Sequence, residues 1–390
     1  MKRLFLILFV FTTIGSIAQQ KVDVAKQMQL SLKQYKGMLH ELKNDYTLFP
    51  QSINTDGSLK KLRSEWWCSG FFGGALWYLS EYTNDTSIRS AANAWTEALD
   101  KEQYNKTTHD LGFMLYCSFG NGYRLTKNAA YKAVLLNGAE SLSSRFNPNV
   151  GLIKSWDGFK GYKYPVIIDN MMNLEFLFWA SKVSGNKKYY NICVSHADKT
   201  LKNHFRPDNS SYHVICYDSV GNVIAKKTAQ GFADSSAWAR GQTWGLYGYT
   251  VMYRETKDKK YLEQAIKIAN FYIHHANLPK DKIPYWDFNS PFIPNDARDA
   301  SAAAIAASGL LELSTYVNKE LSKIYFSFAE DVLQSLSSDT YFAAEGNQHF
   351  LLKHSTGNKP ANSEVDTAII YADYYYLEAL IRYSKLIGIK

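Results

Sequence analysis

What most constrains this chain is a helical pattern that recurs along most of its length. Five polar turns, SEYTNDTSIRS, NGYRLTKNAAYKA, SKVSGNKKYYNI, YRETKDKKYLEQ and STYVNKELSKIY, recur at a spacing of roughly 40 to 70 residues, as in α-repeat proteins. Each carries the Gly, Asn or Asp chemistry of a helix C-terminus and leads into a second helix. The segments before the turns extend to a set of six: SGFFGGALWYLSEYT, HDLGFMLYCSFGNGYRLT, IDNMMNLEFLFWASKVS, AWARGQTWGLYGYTVMYRET, RDASAAAIAASGLLELSTYV and VDTAIIYADYYYLEALIRYSK. All six are apolar nearly all round, as a helix buried on both sides must be, whereas segments after the turns, such as KKYLEQAIKIANFYIHHA, are amphipathic. Six buried helices alternating with amphipathic ones predict an all-α (α/α)6 barrel, an inner ring inside an outer ring. An open superhelix is the structural alternative. A short β-hairpin insertion is expected at YHVICYDSVGNVIAKKT.

Length alone would allow two or three domains in 390 residues, but an α-barrel uses this size as one. The first residues, MKRLFLILFVFTTIGSIAQQ, place two cations before an apolar run and a small-residue cleavage site, so residues 1–18 are expected to be a signal peptide and residues 19–390 a single barrel domain. The product would then be periplasmic or secreted. No later apolar run is long enough to span a bilayer. Cleavage would remove Lys2 and Arg3 from a formal net charge of +8, leaving a basic protein suited to an acidic saccharide. No Lys/Arg block or nucleic-acid motif points to DNA or RNA. Cys68, Cys117, Cys193 and Cys216 match no zinc spacing and read as buried free thiols; neither they nor the His and carboxylate positions imply a metal or other cofactor.

In such a barrel the inner helices run parallel, so their N-termini share one mouth. The residues falling there are Trp66 and Trp67, His109 and Asp110, Asp169 and Asn170, Trp238 and Arg240, Arg298 and Asp299, and Glu364 and Asp366. An Asp at a helix start is ordinarily a cap. Two of them at one rim among aromatic rings are also what a glycosidase needs, a proton donor and a second carboxylate. Arg240 either grips a substrate carboxylate or ties Asp234 or Asp299; Trp244 either stacks on a sugar or fills core. His213 reads as a structural histidine or a substrate contact.

The motifs THDLGFMLYCSFGNGYRLT, IIDNMMNLEFLFWAS, GFADSSAWARGQTWGLYGY and SEVDTAIIYADYYYLEAL resemble the unsaturated glucuronyl hydrolases, glycoside hydrolase family 88, from about Trp66 to the C-terminus. The resemblance implies an (α/α)6 barrel that removes a 4,5-unsaturated uronic acid from oligosaccharides made by polysaccharide lyases, by hydration of the C4=C5 enol ether. It assigns Asp169 as acid/base and Asp110 as the second essential carboxylate. His109, His213, Gln230, Arg240 and Trp244 fall in the substrate-contacting set, with Trp66 or Trp67 beside them. A general acid at a helix start needs the Asp110 charge and a desolvated mouth to outweigh the helix dipole, or a place for Asp169 just off the helix end. Members favouring sulfated substrates carry a Ser-x-x-Ser-x-Lys site; here HSTGNK, His354 to Lys359, keeps only Lys359, which puts a preference for sulfated disaccharides in doubt. An unsaturated rhamnogalacturonyl hydrolase and a non-catalytic helical carbohydrate-binding protein are the alternatives.

Overall fold

The computed structural model describes residues 21–389; the leader expected over residues 1–18 lies outside them. The described chain opens with α1 (Val24–Leu42) and a hairpin of β1 (Phe49–Ile53) and β2 (Leu59–Leu62). The first repeat shows how the turns work. α2 (Ser69–Thr83) closes on Asn84 in the left-handed region, φ 55°, and α3 (Thr86–Glu97) starts at once on Asp85, whose carboxylate accepts the N–H groups of Ser87 and Ile88. A left-handed residue that ends one helix and an Asx side chain that caps the next reverse the chain in two residues.

The same device recurs. A π-helical segment, Gly112–Gly120, runs into α4 (Asn121–Thr126), which ends on left-handed Lys127 before Asn128 caps α5 (Ala129–Ser143). After the short pair β3 (Phe146–Asn147) and β4 (Leu152–Ile153) and strand β5 (Tyr164–Ile167), a 3-10 turn, Ile168–Asn173, leads into α6 (Leu174–Ser184). Gly185 and Asn186 then turn the chain into α7 (Lys187–Asn203). β6 (Val214–Tyr217) and β7 (Val223–Lys227) form the expected hairpin, and β5 adds to it as a third antiparallel strand in the order β5-β6-β7. α8 (Ala239–Thr256) and α9 (Lys259–His274) follow, joined by Lys257 and Asp258; α10 (Ala300–Leu313), α11 (Lys319–Leu336) and α12 (Ile370–Leu386) complete the helices.

The inner ring runs α2, the π segment with α4, α6, α8, α10 and α12, and closes because α12 packs on α2. Each inner helix carries its following outer helix, and α1 takes the outer place between α12 and α2. The α12–α2 contact excludes the open superhelix, and the outer ring is completed by a helix, α1, that no repeat turn announces. Gln34 of α1 donates to the carbonyls of Ala343 and Gly346, and Tyr35 reaches Asp373 of α12. Inside the ring the apolar faces form one core, in which Phe71, Phe113, Trp244, Tyr371 and Tyr375 interlock as a ring plug across the barrel axis. Burying each such ring contributes about 1.5–3 kcal/mol. All four cysteines are buried and unpaired.

Candidate functional site

Above the plug, at the N-terminal ends of the inner helices, lies a cavity of about 370 Å³. Trp66, Trp67, His109, Asp110, Asp169, Gln230 and Arg240 of the sequence-derived set line it, joined by Trp156, Tyr371 and the loop residues Gly357, Asn358, Ser363 and Glu364. His213 and Trp244 stand behind Asp169 and outside the lining, and Lys359 is turned away from the cavity.

Asp110 precedes the π segment, with its carbonyl accepting from Met114 N–H and its Oδ2 accepting from the Thr108 hydroxyl at 2.9 Å. The segment is locked to the element carrying Asp169: Gly112 N–H donates to Asn173 Oδ1 at 2.9 Å, and Asn173 donates to Asn170, which donates to the Ile153 carbonyl. A Cβ at Gly112 would stand 2.5 Å from Asn173 Oδ1, so only glycine allows this approach. π-helical turns recur at functional sites, and here the turn sets the Asp110 backbone against the Asp169 backbone.

Asp169 opens the 3-10 turn and is 8% exposed. Burial pushes its carboxyl up to about 7; the Arg240 charge opposes this and Asp110 adds to it. Desolvation and the neighbouring carboxylate thus outweigh the helix start, as a proton donor at this position requires. The Asp169 Oδ2 atom has no hydrogen-bond partner, and the partnerless indole N–H of Trp244 favours its ionised form.

Two buried histidines flank the carboxylates and are held in opposite tautomers. His213 Nδ1 accepts the backbone N–H groups of Ala229 and Gln230, both at 3.1 Å, so its proton sits on Nε2, 3.8 Å from Asp169 Oδ2. His109 Nδ1 meets the Ser155 carbonyl at 2.9 Å; a carbonyl only accepts, so the proton sits on Nδ1 and Nε2 is bare. That nitrogen is 3.2 Å from Asp110 Oδ1 without an aligned hydrogen bond. Burial lowers both rings, His213 to about 3, which keeps them neutral; Asp110 partly opposes the shift at His109 and Arg240 reinforces it at His213.

Arg240 resolves in favour of a tie. Its Nη1 pairs with Asp299 Oδ2 at 3.0 Å and bonds the Thr356 carbonyl, and its Nη2 bonds the Gly357 carbonyl at 2.6 Å, while it packs on Trp238. Its bidentate capacity is spent on holding the 356–358 loop, and its buried Nε has no partner. Asp299 caps α10 through Ser301 and Ala302 and is fully buried. Trp244 fills core between Phe113 and Tyr375. Arg298 turns to Asp281, and Asp366 pairs with His354, so neither reaches the cavity. Lys359 is held by Asp296, which is buried, with Trp286 beside it. Gln230 bridges to the Gly357 carbonyl.

Sequence reasoning passed over Trp156, in the loop between β4 and β5, where it packs on Phe159 and edges onto His213. A lone Trp in the turn-rich stretch KSWDGFKGYKY was the available signal. Trp66, 46% exposed, and Trp156 offer ring faces at the cavity for a sugar.

An (α/α)6 barrel with paired carboxylates, one of them poised near neutrality, at the bottom of a Trp-walled cavity defines the chain as a glycoside hydrolase. Residues 41–383 match the model of Glycosyl Hydrolase Family 88, and the chain belongs to that family. It is 49% identical over 344 residues to an unsaturated glucuronyl hydrolase of Formosa agariphila, covering 87% of this chain and 85% of the relative. An unsaturated chondroitin disaccharide hydrolase of Streptococcus agalactiae is 30% identical, covering 94% of this chain and 92% of that one. A crystal structure of an unsaturated glucuronyl hydrolase specific for heparin superposes with a TM-score of 0.91 at 49% identity, covering 94% of this chain and 98% of that one.

Proposed function

We propose that this hydrolase removes a 4,5-unsaturated uronic acid from the non-reducing end of lyase-generated oligosaccharides by hydrating its C4=C5 bond. The observation that carries the reading is Asp169, buried with a carboxyl near neutrality and facing the same cavity as Asp110. Relatives named for unsaturated glucuronyl and unsaturated chondroitin disaccharide hydrolysis support it.

The alkene is an enol ether of the ring oxygen. Asp169 in its acid form gives its proton to C4, and the positive charge that develops at C5 is shared with the ring oxygen. A water attacks C5 and returns a proton to Asp169, which regenerates the acid. The C5 hemiketal opens at the C5–ring oxygen bond to a ketone. C1 is then a hemiacetal, which expels the aglycone and becomes an aldehyde. Asp110 supplies negative charge beside the developing cation. The bare His109 Nε2 accepts a hydrogen bond from a sugar hydroxyl, and His213 Nε2–H donates toward Asp169 or the substrate. Gln230 and Arg240 hold the 356–358 loop against the cavity. Trp66, Trp67 and Trp156 pack on sugar rings.

Because Lys359 is engaged by Asp296, it offers no free cation for a sulfate, and unsulfated disaccharides are the favoured substrates. The N-terminal residues favour export, which N-terminal sequencing of the mature protein would test. Incubation with unsaturated disaccharides from several lyases, sulfated and unsulfated, should bleach the ultraviolet absorbance of the conjugated alkene-carboxylate. A signal unchanged across the panel would refute the reaction; faster loss with sulfated members would refute the specificity.

A further inference from the structure

A second cavity, of about 380 Å³, occupies the opposite half of the barrel. Its rim carries Lys127, just past the end of α4, and Lys385, in the last turn of α12, so it opens where the inner helices end. Phe113 belongs to the walls of both cavities, and the ring plug separates them.

The far cavity has the chemistry of a small-molecule site. On one wall Tyr116 stacks on Phe176, Trp179 stacks on Phe176 in turn, and Tyr123 meets Trp179 edge-on. Tyr375, 2% exposed, lines the deep end. Glu175, which lines the cavity, accepts a hydrogen bond from Arg254 Nη2 on Oε1 at 2.5 Å. At the rim, Arg124 and Lys385 share Glu81, while Lys127 lies over the Tyr123 ring without an ion pair among the described residues, so cations outnumber carboxylates there.

We propose that this far cavity binds an acidic monosaccharide. Tyr116 and Trp179 pack on its ring, Tyr375 and Glu175 take its hydroxyls, and Lys127 at the rim takes its carboxylate, in the positive field that Arg124 and Lys385 add beside it. This assignment does not depend on the reading of the catalytic cavity.

The two cavities have separate reporters. In 15N-labelled protein, the indole N–H of Trp179, assigned through Trp179→Phe, marks the far cavity, and those of Trp66, Trp67 and Trp156 mark the catalytic one. Titration with sodium D-glucuronate should shift the Trp179 signal saturably. D-glucose should shift it far less. Lys127→Glu, an exposed change that leaves the core intact, should weaken the glucuronate response about five- to tenfold. A Trp179 signal that stays still while the catalytic reporters move would overturn the site. An equal response to glucose, or one unaltered by Lys127→Glu, would overturn its preference for acidic sugars.

Discussion

At the scale of the residue, the site depends on two carboxylates and two histidines whose states are set by what surrounds them. Asp169→Asn removes the proton donor without changing shape, so turnover should fall by about 10²–10⁴ while binding of the unsaturated disaccharide, measured calorimetrically, persists. Because the Asp169 carboxyl sits at about 7, the acid form is lost as pH rises through that value, and single-turnover rates should decline on the alkaline side. The same shift bears on stability. The folded-state value lies above the ordinary 3.8, so the folded protein holds this proton more tightly than the unfolded chain. The favourable contribution is complete below about 4 and disappears as pH rises through about 7. Asp169→Asn should therefore stabilise the fold at pH 8 by about 1–3 kcal/mol, a gain that shrinks toward pH 4, as denaturant melts at both values would show. For the histidines, 15N spectra at neutral pH should show His109 protonated on Nδ1 and His213 on Nε2. An imidazolium pattern at either, or the same tautomer at both, would contradict the hydrogen-bond assignment.

At the scale of the element, the π segment is where local sequence and site geometry meet. HDLGFMLYCSFG reads as ordinary buried helix by its apolar content, whereas Gly112–Gly120 is π-helical. The wider turn is decided by contacts from other elements. Gly70 of α2 lies against the Phe113 and Met114 carbonyls, and Asn173 lies against Gly112. Gly112→Ala would push Asn173 aside and move Asp110 relative to Asp169. A loss of about 1–3 kcal/mol in stability together with a large loss of turnover is expected. Asn173→Ala, which leaves the Gly112 N–H unpaired, should cost about 1–3 kcal/mol. If either variant kept full activity, the lock would not set the carboxylate geometry.

At the scale of the whole molecule, the barrel is held at its far end by a partly buried ion network across four inner helices. Arg254 of α8 joins Glu175 of α6 and Glu312 of α10, and Arg382 of α12 joins Glu312 and Glu378. Glu312→Ala would leave two arginines facing each other without their shared carboxylate. It should destabilise the fold by about 1–3 kcal/mol, read as a lowered urea midpoint. This network borders the far cavity and contributes nothing to the lining of the catalytic one, so the variant should retain its catalytic rate while folded.

The amino-acid sequence by itself determined the repeat, because all-round apolar segments, Asx caps and left-handed turn residues are local choices visible in the order of residue types. It also determined that Asp110 and Asp169 share a mouth, since helices separated by a returning partner must run parallel. The tertiary structure alone decided the rest. α12 packs on α2 to close the inner ring, and α1 completes the outer one although no turn motif marks it. Arg240 spends its fork on Asp299 and the 356–358 loop, and Lys359 on Asp296. Two backbone N–H groups and one carbonyl fix the histidine tautomers. These outcomes depend on which groups from distant segments compete for one donor or acceptor once water is excluded, and that competition exists only in the packed barrel.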